Sequence, residues 1–181
     1  WPWQGTGEMV RRGPDFTAPG RGAGRGILRL DNPGVRERTA GHTISIAVQY
    51  LLPGEVAPAH RHTPSAVRFM LHGEGAFTTI EGDKFVMRRG DLVVTPSMTW
   101  HDHGNEGPEP VIWTDALDSP VVRYLEDLAM DPYGGEAQPV RSGPPARQLH
   151  HRWEAACAAL RARTPDPFDD VIMEYLDPAS G

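Results

Sequence analysis

The stretch PGEVAPAHRHTPSAVRF, residues Pro53 to Phe69, sets His60 and His62 one residue apart directly after a run with strand character. In an extended segment side chains alternate between faces, so these two imidazoles share a face, with backbones about 7 Å apart. Both can then reach one metal ion. Two surface histidines beside Arg61 and Pro64 would show the same spacing, and the pair alone leaves both readings open. A second stretch, PSMTWHDHGN from Pro96 to Asn105, repeats the arrangement with His101 and His103. Four of the eight histidines thus fall into two paired sites on neighbouring segments. A barrel that brought the segments together would place a ligand site in its mouth. His42 and His72 have no such companion and read as structural; His150 and His151 read as solvated residues of a late helix.

Strand signals surround both stretches. From Ile44 the alternation puts Ile44, Ile46, Val48, Tyr50 and Leu52 on one face of a half-buried strand that Pro53-Gly54 ends. Short apolar segments follow at Val67 to Leu71, Ala76 to Glu81, Lys84 to Met87, Leu92 to Thr95 and Val111 to Thr114, with Gly or Pro between them. Many short strands punctuated in this way predict an all-β sandwich or barrel, with Gly82-Asp83 a tight hairpin turn. Residues 1–41, rich in Gly, Pro and Arg, read as an N-terminal arm whose apolar island Ile27 to Leu30 is a short strand. Residues 42–120 read as the β-barrel. Residues 121–181 read as a linker, a helix near Gln148 to Arg163 with Leu149, Trp153, Ala156 and Leu160 at helical spacing, and an acidic tail.

At 181 residues the chain is long enough for one cored domain with extensions and short for two. Its 18 basic and 24 acidic residues give a net charge of -6, which disfavours nucleic acid and anionic membrane surfaces as partners. Arginine supplies 17 of the 18 basic residues, so any one arginine carries little information by itself. The single cysteine, Cys157, excludes an internal disulfide framework and fits a reducing, cytoplasmic setting; in its alanine-rich run it reads as a packed thiol. No stretch approaches the roughly 20 apolar residues of a membrane-spanning helix. The start WPWQGTGEMVRRG lacks the basic-then-apolar layout of a signal peptide. A first residue other than Met and an end on DPASG read as a piece of a longer chain.

Gly54, His60, His62 and Gly73, followed by Gly90, Pro96, His101 and Asn105, resemble the two conserved motifs of the cupin superfamily. The resemblance implies a double-stranded β-helix, the jelly-roll barrel, with the N-terminal arm and a C-terminal helical extension outside it. Two departures matter: no acidic residue follows His62 at four or five positions, and Met98 stands where a glycine is usual. The implied ligand set is therefore three histidines without a carboxylate. The wording GEGAFTTIEG, GDLVVTPSMTWHDHGN and WTDALDSP is similar to the amino-terminal cupin of gentisate 1,2-dioxygenases, and more loosely to salicylate and 1-hydroxy-2-naphthoate dioxygenases. Such enzymes are two-cupin chains nearly twice this length, usually homotetramers, and the tail would lead towards a second cupin. The family implies Fe(II) at His60, His62 and His101, O2 as co-substrate, and gentisate opened to maleylpyruvate. It also implies a contact from His103 to substrate or oxygen.

The chemistry of the residues is compatible with that expectation. Three neutral imidazoles hold a divalent ion without cancelling its charge, which suits an aromatic hydroxy-acid chelating through adjacent carboxylate and hydroxyl oxygens. Zinc accepts three histidines as well, so the ligands alone do not choose the metal. Arg68 shares parity with Met70 and opposes Val67, Phe69 and Leu71; if those three build the core, Arg68 faces the ligand space. An arginine there needs an anion. A substrate carboxylate held by the guanidinium fork is favoured over a salt bridge at the barrel surface. Asp102 and Trp100 have the parity opposite to the histidines: Asp102 orients a histidine or relays a proton, or is a turn carboxylate, and Trp100 is core or a stacking platform. Arg25, beside the apolar island, is a second carboxylate contact. The alternatives are a non-catalytic cupin that binds or senses a small aromatic or carboxylate ligand, and a zinc hydrolase or isomerase with His103 or Asp102 as base.

Overall fold

The computed structural model describes residues 26–36, 39–163 and 174–175. Among them, nine strands precede the first helix: β1 Gly26–Arg29, β2 Ser45–Leu51, β3 Val56–His62, β4 Ala66–His72, β5 Ala76–Ile80, β6 Asp83–Val86, β7 Leu92–Thr95, β8 His101–Asn105 and β9 Val111–Leu117. They are followed by α1 Ser119–Tyr124, β10 Met130–Pro132, β11 His150–His151 and α2 Trp153–Arg161. The strands form two antiparallel sheets in the orders β1-β2-β9-β4-β7-β11 and β10-β3-β8-β5-β6. Leu51, Met70, Val93, Val111 and Trp113 from the first sheet meet Ala76, Ile80 and Phe85 from the second in one buried cluster. Each large apolar side chain buried there contributes about 1.5–3 kcal/mol. This is the jelly-roll barrel that the strand pattern and the two histidine motifs predict.

Which face of each strand turns inward differs from the sequence reading in two places. On β4 the buried residues are Ala66, Arg68 and Met70, while Val67 and Phe69 are exposed. The core therefore lies on the Arg68 side, not on the Val67 side. On β2 the apolar stripe Val48 and Tyr50 joins Ile112, Leu28 and Leu30 in a separate cluster. The opposite parity, Ala47, Gln49 and Leu51, supplies the barrel's interior. The β5–β6 hairpin turns on Glu81 and Gly82, both at positive φ, one residue earlier than expected. That pair of left-handed residues matches the twist of the flanking strands.

The segment after Pro120 is more than a linker. β10 pairs with β3, β11 pairs with β7, and Leu149 is fully in the core. The helix expected from Gln148 begins only at Trp153, because Leu149 to His151 continue sheet pairing: Val94 donates to the Leu149 carbonyl. His150 and His151 are thus strand residues, half-buried, and His150 Nε2 lies 2.8 Å from the Asp91 carboxylate. The other oxygen of Asp91 accepts from the Trp153 backbone N–H at the start of α2. No helix among the described residues is long and apolar enough to cross a membrane.

Candidate metal centre

β3 and β8 lie side by side, and their register sets His60 directly opposite His101 after an irregularity between Ala57 and His60. Alternation then returns His62 to the same face. The imidazole centroids are 4.4 Å apart for His60 and His101, 4.7 Å for His62 and His101, and 5.5 Å for His60 and His62. One nitrogen from each of the three lies within 4.8 Å of the others. Short local bonds aim these rings: His60 Nδ1 is 2.8 Å from the Pro58 carbonyl, His62 Nδ1 2.7 Å from that of Pro64, and His101 Nδ1 2.9 Å from that of Thr99. A carbonyl only accepts, so each Nδ1 carries the hydrogen and each Nε2 keeps its lone pair, the arrangement that orients a ligating histidine.

Electrostatics favour the same state. Burial pushes the His101 pKa down to about 2, with the neighbouring His60 adding to the shift, and burial also lowers His62. Neutral imidazole is the metal-binding form. The donor set therefore fits a divalent transition ion: three oriented nitrogens within 4.8 Å of one another, at the wall of a cavity of about 770 Å³.

His103 also lines that cavity but is held differently. Its Nε2 is 3.2 Å from Arg68 Nη2, and its Nδ1 is 2.9 Å from the Thr78 hydroxyl. Arginine can only donate, so His103 Nε2 accepts and Nδ1–H donates to Thr78, which donates onward to the Asp102 carbonyl. His103 is thereby a neutral ring bound to a guanidinium, beside the three-histidine group and not within it.

Arg68 is buried, and its anion is supplied by the protein. Asp115 Oδ1 lies 2.7 Å from Arg68 Nε, both side chains being almost wholly inaccessible. Asp115 Oδ2 accepts from Gln49 Nε2 and from the Trp113 indole N–H. The expectation of a bare arginine awaiting a substrate carboxylate is corrected: Arg68 does face the cavity, but already ion-paired. Arg68 Nη1 also donates to the Thr78 hydroxyl at 3.3 Å, while the contact of Nε with Asp115 is an ion pair without hydrogen-bond geometry.

Asp102 is placed away from the cluster. Its Oδ2 accepts from the Gln138 backbone N–H at 2.8 Å and from Gln138 Nε2 at 3.2 Å, on the side of β8 opposite the histidines. It orients no histidine. Trp100 meets the Tyr133 ring edge to face at 5.1 Å and carries the guanidinium of Arg61 over its own ring. Arg25 lies outside the described residues. Sequence reasoning missed Asp115, Gln49 and Thr78. The signal for Asp115 was present, since a buried arginine requires an anion and Asp115 has the inward parity of Trp113.

Residues 47–117 match the Cupin_2 family, the cupin domain. A gentisate 1,2-dioxygenase from a Ralstonia species is 38% identical over an alignment covering 100% of this chain and 57% of that protein. A 5-aminosalicylate 1,2-dioxygenase from a Comamonas species is 31% identical, with 98% and 55% covered. The salicylate 1,2-dioxygenase structure from Pseudaminobacter salicylatoxidans superposes with a TM-score of 0.77 at 32% identity, covering 89% of this chain and 52% of that one. A variant of that dioxygenase was solved in complex with gentisate. The chain spans a little over half the length of these curated relatives. Fold, histidine register and these likenesses converge: residues 47–117 form a cupin domain, and the chain is similar to gentisate and salicylate dioxygenases.

Proposed function

We propose that this chain carries the iron site of a ring-cleaving dioxygenase that uses Fe(II) and O2 to open gentisate, a dihydroxybenzoate, to maleylpyruvate. The observation that carries the reading is the convergence of His60, His62 and His101, each fixed through Nδ1, in a cavity that also holds Arg68 and His103. The likeness to gentisate and 5-aminosalicylate dioxygenases supports the substrate class. Bound to the three imidazoles, Fe(II) would supply an uncancelled positive charge and open coordination positions for an anionic chelating substrate and dioxygen.

The protein's own groups have separable tasks. His60, His62 and His101 hold the metal. Arg68 offers N–H groups of its terminal nitrogens to the substrate carboxylate, the guanidinium plane being suited to planar anions. Because Asp115 already neutralises it, this contact orients the carboxylate more than it attracts it. His103 presents a neutral ring to the cavity and touches substrate or oxygen. Assembly into a homotetramer and a cytoplasmic location belong to the same reading and rest on the family resemblance alone.

The test joins metal analysis to oxygen uptake. Protein loaded anaerobically with Fe(II) should hold one iron per chain and consume oxygen with gentisate, and His101→Ala should lose most of that iron. Tight zinc binding with no oxygen uptake on gentisate, salicylate or 1-hydroxy-2-naphthoate would overturn the proposal in favour of another metal-dependent chemistry.

A further inference from the structure

Between the ligands His60 and His62 stands Arg61, whose side chain has the opposite parity and lies on the outside of the barrel. Its Nε and Nη2 both sit 2.9 Å from Asp131 Oδ2 on β10. Its guanidinium carbon lies 4.5 Å from the ring centre of Trp100, the residue immediately before His101. Trp100 is itself fixed, with its ring against Tyr133 and its backbone exchanging two bonds with Glu81. Below the same stack, the Met98 N–H donates to the His62 carbonyl. The two segments that bring the three histidines together are thus fastened to each other on the side away from the cavity.

We infer that Arg61 is a positioning residue for the metal centre: stacked on Trp100 and tied to Asp131, it holds the His60–His62 strand at the distance from His101 that lets three imidazoles share one ion. The inference rests on the reading of the three histidines as a metal site. A cation over an indole face and a carboxylate on the same guanidinium reinforce each other, since the carboxylate fixes the plane that stacks. Loss of the bracket leaves the strands hydrogen-bonded but lets the ligand pair drift. Metal affinity is sensitive to small shifts of this kind, and groups that orient ligands from behind typically contribute about 10–100-fold.

Thermal unfolding of the chain, stripped with a chelator and then with anaerobic Fe(II) at fixed excess, separates positioning from plain stabilisation. A ligand raises the midpoint only through its affinity for the folded state. Arg61→Ala should therefore shrink the iron-induced rise by the equivalent of about tenfold weaker binding, whereas a structural role would lower the stripped and loaded midpoints together. Arg61→Lys should recover part of the rise, keeping the cation over Trp100 and losing the second nitrogen on Asp131. Asp131→Asn, at a half-exposed position, provides the same comparison should Arg61→Ala not fold. An undiminished iron-induced rise in Arg61→Ala, or in Asp131→Asn where that stands in, overturns the inference. An absent rise in the unsubstituted chain overturns instead the metal reading beneath it.

Discussion

Two ends of one barrel interior behave oppositely. On β2 the inward residues run Ala47, Gln49, Leu51; on β4, Arg68, Met70; on β9, Val111, Trp113, Asp115. Leu51, Met70, Val111 and Trp113 make the close-packed core, while Gln49, Arg68 and Asp115 line the cavity two residues further along the same strands. The difference teaches that alternation assigns a side chain to the interior without saying whether the interior is filled there. The packed end stabilises the fold by burial. The hollow end is a buried ion pair with hydrogen bonds, which at best offsets its own desolvation.

This contrast can be broken by substitution. Arg68→Met should cost the most, about 3–5 kcal/mol in urea unfolding, because it leaves Asp115 buried without its cation. Arg68→Met combined with Asp115→Leu should regain most of that loss; if the pair is as unstable as the single variant, the polar wall is doing more than balancing itself. At the packed end, Leu51→Ala should cost about 3 kcal/mol through the cavity it leaves. Iron stoichiometry should be unchanged, and a loss of iron would show that the two ends are coupled.

Acid sharpens the same comparison. Burial holds His101 and His62 below the ordinary value near 6.5, so as pH falls the unfolded chain takes up protons that the folded chain refuses. Stability of the metal-free protein should therefore fall below about pH 6.5, His101 contributing at most about 1.4 kcal/mol per pH unit, and His62 less because solvent screens it. Urea midpoints measured from pH 7 to pH 5 should show a shallower slope in His101→Ala; identical slopes would remove His101 as the source. The smallest effect belongs to Met98, at φ 59 in the turn Pro96 to Thr99. A left-handed conformation is costly for any residue with a Cβ, so Met98→Gly should stabilise by about 0.5 kcal/mol once glycine's greater unfolded freedom is counted. Destabilisation would mean that the Met98 side chain packs more than its exposure suggests.

The histidine register was legible because the paired histidines repeat at the strand period and are flanked by turn residues with few conformational choices. The parity of Arg68 was legible too. Its meaning was not: Val67 and Phe69 look like core residues by hydropathy, and only the sheet order reveals that they face outward. Asp115 is opposite Arg68 on β9, a neighbour across strands that no local pattern announces. Asp102 lies apart from the histidine cluster for a related reason, since its companion Gln138 comes from a segment that reads as linker in the sequence. His150 and His151 were misread because two residues of strand, fixed by Asp91 far away in sequence, carry too short a period to be told from the helix that follows.

Leu149 closes the packed end from a place in the chain that comes after every other member of that cluster. During synthesis the strands bearing His60, His62 and His101 leave the ribosome well before the residue that completes the core beneath them. At about 5–20 residues per second the interval lasts on the order of seconds, during which Met70, Phe85 and Trp113 have been made and Leu149 has not. Asp91 meanwhile has neither His150 nor the Trp153 backbone to bind. The nascent chain therefore exposes apolar surface in the interval after its histidine-bearing strands are made and before β11 and Leu149 arrive.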